Sequence, residues 1–310
     1  MVKKIKIYKN FNILKKDQKS ILLIGNFDGL HLGHQKLFNL ANKYKLKKKL
    51  KVGVITFDPI PKMFFNKSLK SHRISNLEQK IEYFSNYKID FLIIKKFNKK
   101  FSKINYMNFI EKILYKKLKS KYIFVSNNFR FGNKREGNVK LLKSLESKYN
   151  YKIINPKPLK SKKKIISSTL IRKLISNGKI KKANQYLNRN WSVVGKVLVG
   201  RKMGRKIGFP TCNIKLNDYI VAKPGVYAVK VFVNDGKNFF RGIANLGYRP
   251  TFNQKKILLE VNLFNFSGNL YNKKLRVEFL KFIRKELKFK GIDQLKKQII
   301  LDLKIAKRVK

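Results

Sequence analysis

Four short apolar runs pace the first half of this chain: SILLIGNF, LKVGVITF, IDFLIIKKF and KYIFVS. Segments of helical period separate them: GHQKLFNLANKYKLKKK, with Leu37, Leu40 and Tyr44 on one side, then NLEQKIEYFSNY, then NYMNFIEKILYKKL. A short run that is apolar throughout suits a strand buried on both faces. Helical crossovers carry the chain back to the same end, so the strands pair in parallel. The expected fold is an α/β domain, a parallel sheet with helices on both faces. The turn former DPIP ends the second run, and SSTLIRKLISNGKIKKANQYL reads as one or two helices broken near Asn177–Gly178.

At Trp191 the texture changes. WSVVGKVLVG, FPTCNIKL, GVYAVKVFV, NFFRGIANLG, KILLEVNLFNF and LRVEFLKFI are alternating strands divided by Gly, Asn, Asp and Pro. Antiparallel pairing that closes into a small barrel is expected, with GIDQLKKQIILDLKIAKRVK as a closing helix. The boundary falls near residues 186–190, giving domains 1–186 and 187–310. LKSKKKII reads as a solvated loop.

A length of 310 residues and 43% hydrophobic content allow two cores. No apolar run approaches the roughly 18 residues of a membrane span, and the basic N-terminus lacks the apolar stretch of a signal peptide. The single cysteine, Cys212, excludes an internal disulfide and four-cysteine zinc sites. A cytoplasmic protein with no membrane partner is expected. The net charge is +59, yet only 12 of the 75 basic residues are arginine. Lysine is spread along the whole chain with Asn, Ile, Phe and Tyr, residues that share A- and T-rich codons. Codon bias, as in an obligate intracellular bacterium, explains this better than selection for a nucleic acid, which favours arginine. No specific nucleic-acid partner is expected, although nonspecific binding at low salt is. The oligomeric state is left open.

GNFDGLHLGHQKL stands where the first strand ends and the first helix begins, near His34. In α/β sheets that edge binds ligands. Gly25, Gly29 and Gly33 let the backbone turn and approach a ligand closely. The helix N-terminus favours an anion, and His31 and His34 add donors beside it. These parts suit a triphosphate attacked at its α-phosphorus. Zinc is a weaker reading, because the only other histidine, His72, lies in a basic loop without an acidic cluster.

GNFDGLHLGH resembles the first motif of the HxGH nucleotidylyltransferase superfamily, and ISSTLIR, at residues 166–172, resembles its second. The resemblance implies a Rossmann-like domain that transfers a nucleotide from a triphosphate. It implies triphosphate contacts from Gly25, Asp28, Gly33, Ser168, Thr169 and Arg172; Ser167, Ser168 and Thr169 would also cap the following helix. FDPIPKMFF and SNNFRFGNKREGN are similar to segments of the bacterial bifunctional riboflavin kinase/FAD synthetase family. There the matching loops form a flavin pocket, which points to Phe57, Pro59, Pro61, Asn128 and Phe129. Plain core packing is the competing reading of the phenylalanines. Ser126 and Asn127 replace the family's usual glycine and acidic residue.

The second domain carries VGRKMGRKIGFPTCN. This is no Walker A loop, since no Gly-Lys-Ser/Thr opens a helix. Gly200, Gly204 and Gly208 would let a loop fold over phosphates, and Lys202 and Arg205 could neutralise charge. Thr211 and Asn213 alternate with Cys212, so their oxygens share a face and suit Mg²⁺ held with substrate phosphates. In LLEVNLF, Leu259, Val261 and Leu263 share the core face, and Glu260 lies opposite with Asn262. Over nearly all of residues 187–290, from this Gly-rich segment to IRKELKF, these segments resemble the family's flavokinase module. The resemblance implies a six-stranded flavokinase barrel with Thr211 and Asn213 as the Mg–ATP pair, Glu260 as catalytic base and Arg284 near the flavin; Lys285 replaces the family's proline.

The expected activity is ATP-dependent phosphorylation of riboflavin to FMN, then adenylylation of FMN to FAD with release of pyrophosphate. ATP is co-substrate of both steps. A chain retaining one activity, and a basic nucleic-acid-binding protein on this scaffold, are the alternatives.

Overall fold

The computed structural model describes residues 5–69, 71–199, 203–216, 218–234, 236–251 and 254–309. The chain divides into two compact units, Met1–Leu69 with Leu77–Ser167, and Lys70–Asn76 with Ser168–Lys310.

The first unit is built on strands β1 (Lys6–Tyr8), β2 (Ile21–Ile24), β3 (Val52–Asp58), β4 (Phe91–Lys96), β5 (Tyr122–Phe124) and β6 (Lys152–Ile154). They pair in the order β1–β4–β3–β2–β5–β6, every pair parallel. Helix α1 (Leu32–Lys48) links β2 to β3, and α2 (Leu77–Ser85) precedes β4. Side chains alternate across each strand. Ile21, Leu23, Val52 and Val54 therefore join Leu37, Phe38 and Phe84 in one core. Leu22, Ile24, Ile55 and Phe57 join Phe109, Ile110 and Leu114 in another on the opposite face.

The apolar runs anticipate the four central strands but miss β1 and β6. These two lie at the sheet edges, where one side faces water and lysines interrupt the apolar signal. LKSKKKII is a hairpin and not an open loop. Lys160–Ser161 pairs antiparallel with Lys164–Ile165 across Lys162 and Lys163, both at positive φ. DPIP is more than a turn, since Pro61 starts a short helix, Pro61–Phe65.

The second unit opens with α3 (Ser168–Ser176) and α4 (Ile180–Leu187), broken at Gly178, whose φ is 72°. Strands β7 (Trp191–Leu198), β8 (Cys212–Lys215), β9 (Gly225–Val233), β10 (Phe239–Thr251), β11 (Gln254–Leu263) and β12 (Lys274–Arg284) form a closed antiparallel barrel in the order β7–β8–β11–β10–β9–β12. Its centre is aromatic: Phe279 packs 4.6 Å from Trp191 and 5.0 Å from Tyr227, between ring centroids. Helix α5 (Ile292–Arg308) is locked to β12, as Arg284 Nε lies 2.9 Å from both carboxylate oxygens of the buried Asp302 and Nη2 donates at 2.7 Å. Residues 71–76 also belong here. Ile220 N–H donates to Arg73 O (2.7 Å), and Trp191 Nε1–H donates to Ile74 O (3.0 Å).

Edge strand β1 is tied to its sheet by Asp17. Its carboxylate accepts from Tyr8 Oη (2.5 Å) and Lys51 Nζ (2.6 Å). Burial opposes ionisation of Asp17, but Lys51 and Tyr8 hold the carboxyl below its ordinary value of 3.8. Stability from a lowered carboxyl pKa is present above the unfolded value and is lost as pH falls through the folded one. Asp17→Asn is expected to cost roughly 1–2 kcal/mol at pH 7, discounted because Lys51 is half exposed. Urea titration should show that difference narrowing as the pH drops below 3.8.

Candidate active sites

Strand β2 lies between β3 and β5, parallel to both. Three loops therefore leave the same edge of the sheet: residues 25–31, 59–60 and 125–129. β2 is also where strand order reverses, the position at which open α/β sheets bind ligands.

The loop after β2 folds tightly. Phe27, Gly29 and Leu30 have φ of 47°, 78° and 35°. Helix α1 starts at Leu32 with His31 as its N-cap, earlier than the expected start near His34. The difference is physical: His31 O already accepts from His34 N (2.8 Å) and Gln35 N (3.0 Å), so the first turn closes on it. The two imidazoles, three positions apart, stack at 3.8 Å with 22° between planes. Phe27 meets His34 edge-on at 5.3 Å. Space beneath the stack is tight at Gly33, where a Cβ would lie 3.2 Å from the His31 ring and 3.3 Å from Ile166 O. Asp28 and His31 are buried. Helix-end amides and imidazole donors thus converge on the first turn of α1, a place suited to phosphate.

In the flanking loops the expected flavin residues divide. Phe57 is a core side chain, packed against Phe97 and Phe101. Pro59 is half-buried, and Pro61 opens its short helix. Asn128 is exposed and accepts from Ser126 Oγ at 2.9 Å. Phe129 is half-buried and stacks on Phe131. Asn127, with its amide nitrogen turned inward, donates to Pro156 O (2.7 Å) and Asn155 O (3.2 Å). Ser168, Thr169 and Arg172 lie on α3 in the second unit, where Arg172 Nε–H donates to His72 O (2.8 Å). His72 itself is buried.

The barrel site is assembled by register. Glu260 on β11 is the partner of Asn213 on β8 and of Asn245 on β10. Directly opposite residues in an antiparallel pair point the same way, with Cβ atoms about 4.5–5.5 Å apart. Asn213, Glu260 and Asn245 therefore form one polar row, while Leu259 and Val261 are fully buried on the other face; Leu263 is half-buried. Sequence reasoning missed Asn245. Its signal was an amide alternating with the buried Ala244 and Leu246. Asn213 Oδ1 is buried and has no hydrogen-bond partner among the described residues.

The Gly-rich segment contains a short helix, Met203–Lys206, and not an open loop throughout. A Cβ on Gly204 would lie 2.4 Å from Phe209 O and 3.2 Å from Thr211 Oγ1, so only glycine lets the loop fold onto Thr211. Asn262 Nδ2 donates to Pro210 O (2.7 Å) and holds the segment against β11. Gly208 has φ 88°. Gly200 and Lys202 lie outside the described residues. Arg284 directs its guanidinium to Asp302 and Lys285 O.

Among the described residues, no group of three or more His, Cys, Asp or Glu is placed to hold a metal ion, and no helix is long and apolar enough to cross a membrane.

A stacked histidine pair at a helix N-terminus in a parallel α/β unit, and a closed barrel with an Asn–Glu–Asn row, suit an enzyme of nucleotidyl and phosphoryl transfer. Residues 13–170 match the FAD synthetase family, and residues 187–310 match the riboflavin kinase family. The chain belongs to the bifunctional riboflavin kinase/FMN adenylyltransferase family. It is 44% identical over 302 residues to the protein of that name from Buchnera aphidicola subsp. Schizaphis graminum, covering 96% of each chain. It is 34% identical to that of Escherichia coli K12 over 91% of this chain and 90% of that one. It also resembles, with a TM-score of 0.86 and 28% identity over 99% of this chain and 100% of that one, a crystal structure described as a macrolide-efflux protein from Streptococcus pneumoniae.

Cys212 lies between the two oxygen donors Thr211 and Asn213, and burial pushes its thiol up to about 11. The thiolate is the nucleophile. Iodoacetamide labelling of folded protein at pH 8 should therefore run about two-hundred-fold slower than that of an ordinary thiol, and should become normal in urea.

Proposed function

We propose that this chain makes flavin cofactors in two steps, each in its own half. The barrel converts riboflavin and ATP to FMN and ADP. The N-terminal half, residues 1–186, converts FMN and ATP to FAD and pyrophosphate. The observation that carries this reading is the coexistence in one chain of the His31–His34 stack and the Asn213–Glu260 pairing. The functional boundary is assigned to residues 186/187; a riboflavin kinase match over 187–310 supports it.

In the barrel, Glu260 accepts the proton of the ribityl 5′-hydroxyl as that oxygen attacks the γ-phosphorus of ATP, and ADP leaves. Asn213 and Asn245 lie directly opposite Glu260 on the two flanking strands. The residues fit Mg²⁺: Asn213 Oδ1, buried and without a partner among the described residues, and the Thr211 hydroxyl two positions earlier are hard oxygen donors. Thr211 and Asn213 would hold the ion together with phosphate oxygens. When bound, it neutralises charge on the transferred phosphoryl group. Gly200, Lys202, Gly204 and Arg205 belong to the segment assigned to ATP phosphates. Arg284 acts near the flavin by anchoring the 285–289 segment to α5.

In the α/β unit, an FMN phosphate oxygen attacks the α-phosphorus of ATP, and pyrophosphate leaves. Amides at the start of α1, with His31 and His34, stabilise the charge that grows on the phosphate oxygens. Gly25, Asp28 and Gly33 shape the loop. Ser168, Thr169 and Arg172 are assigned to the triphosphate, and Phe57, Pro59, Pro61, Asn128 and Phe129 to the flavin side. The reactions are assigned to the cytoplasm, with no specific nucleic-acid partner.

A time course with riboflavin, excess ATP and Mg²⁺, with flavins separated by chromatography, should show FMN first and FAD following. FMN without FAD would leave only the barrel activity. Glu260→Gln should lower FMN formation by about two to four orders of magnitude and leave FAD formation from supplied FMN unchanged. His31→Ala and His34→Ala should each lower FAD formation about a hundred-fold or more, with FMN formation retained.

A further inference from the structure

Lys80 is a lysine with no exposed surface. Lysine is almost never fully buried unless its ammonium is held, because desolvating that charge is costly. The ammonium stands below the loop that carries the histidine pair. Nζ donates to Asn26 O and to Thr56 Oγ1, both at 3.3 Å, and Thr56 Oγ1 donates to the same Asn26 O at 3.2 Å. Asn26 lies on the first turn out of β2, immediately before Phe27, whose φ of 47° is left-handed. Phe84 stands four residues after Lys80 on α2, on the same helical face. Its ring meets that of Phe27 edge-on at 5.9 Å. Helix α2 therefore holds the turn at two adjacent points, the carbonyl before the left-handed residue and the ring of that residue. Phe27 in turn packs against His34.

We infer that Lys80 is a positioning residue for adenylyl transfer, acting through Asn26 and Phe27 to set the phosphate-binding loop and the His34 ring. This rests on the reading of the first site as the adenylyl-transfer centre. A group that shapes the site where charge develops, without touching the flavin, is felt in kcat more than in the KM for FMN.

The test is steady-state kinetics of FAD formation from FMN and ATP in the full chain. Lys80→Met, close in volume and without charge, should lower kcat about thirty-fold or more, hold the KM for FMN within about two-fold, and leave FMN formation from riboflavin unchanged. Thr56→Val removes one corner of the knot at equal volume and should lower the same kcat about three- to ten-fold. A Lys80→Met kcat within about three-fold of wild type, or a loss carried by a raised KM for FMN, overturns the inference. If Lys80→Met does not fold, Thr56→Val decides: an unchanged kcat overturns the inference, and a reduced kcat with unchanged KM supports it. Wild-type protein that forms no FAD from FMN would instead overturn the assignment of the site.

Discussion

Parallel pairing of β2 with both β3 and β5 is the constraint on which the first site depends. Parallel strands end at the same edge, so their outgoing loops must emerge together. The histidine loop, the proline loop and the Ser126–Phe129 loop become neighbours for this reason, although they are far apart in the chain. The barrel reaches the same result by other means. There, antiparallel register places Asn213, Glu260 and Asn245 in one row, and alternation separates that row from the apolar core.

Acidic residues are scarce, 16 against 75 basic ones, and several stand where the fold needs a fixed point. Asp17 ties the edge strand. Asp90 accepts from Lys45 Nζ (2.6 Å) and from Val52 N–H (2.8 Å) at the start of β3. Glu136 accepts from Tyr106 N–H and Glu146 from Ile153 N–H, each at 2.8 Å. Asp302 locks the closing helix. A drift toward lysine can spread over exposed positions at little cost per residue, because water screens the added charges. It cannot replace a carboxylate that accepts from backbone or from a buried cation without leaving those donors unpaired.

The elements that were legible in the sequence share one property: their environment is uniform along their length. Central strands are apolar on both faces, and α1 keeps its helical stripe over Leu37, Leu40 and Tyr44. The edge strands β1 and β6 were not legible, because half of each faces solvent. Residues 71–76 precede α2 in the chain yet pack with the barrel unit, since Arg73 and Ile74 supply carbonyls to Ile220 and Trp191. No local pattern announces such a partner. Phe57 shows the same ambiguity from the other side. Its motif points to a ligand, and its ring is packed into a core.

By itself the sequence determined the chemistry and its order along the chain. HLGH, PTCN and the glutamate of LLEVNLF carry their donors, acceptors and candidate base wherever the chain places them, and period alone separates an α/β half from a β half. The tertiary structure decided which donors meet. The stacking of His31 on His34, the closeness of Thr211 to Gly204, the alignment of Asn245 with Glu260 and the bond from Lys80 to the Asn26 carbonyl are spatial relations between residues. Such relations follow from strand register and helix packing, which sum weak interactions over many residues and leave no signature at any one of them.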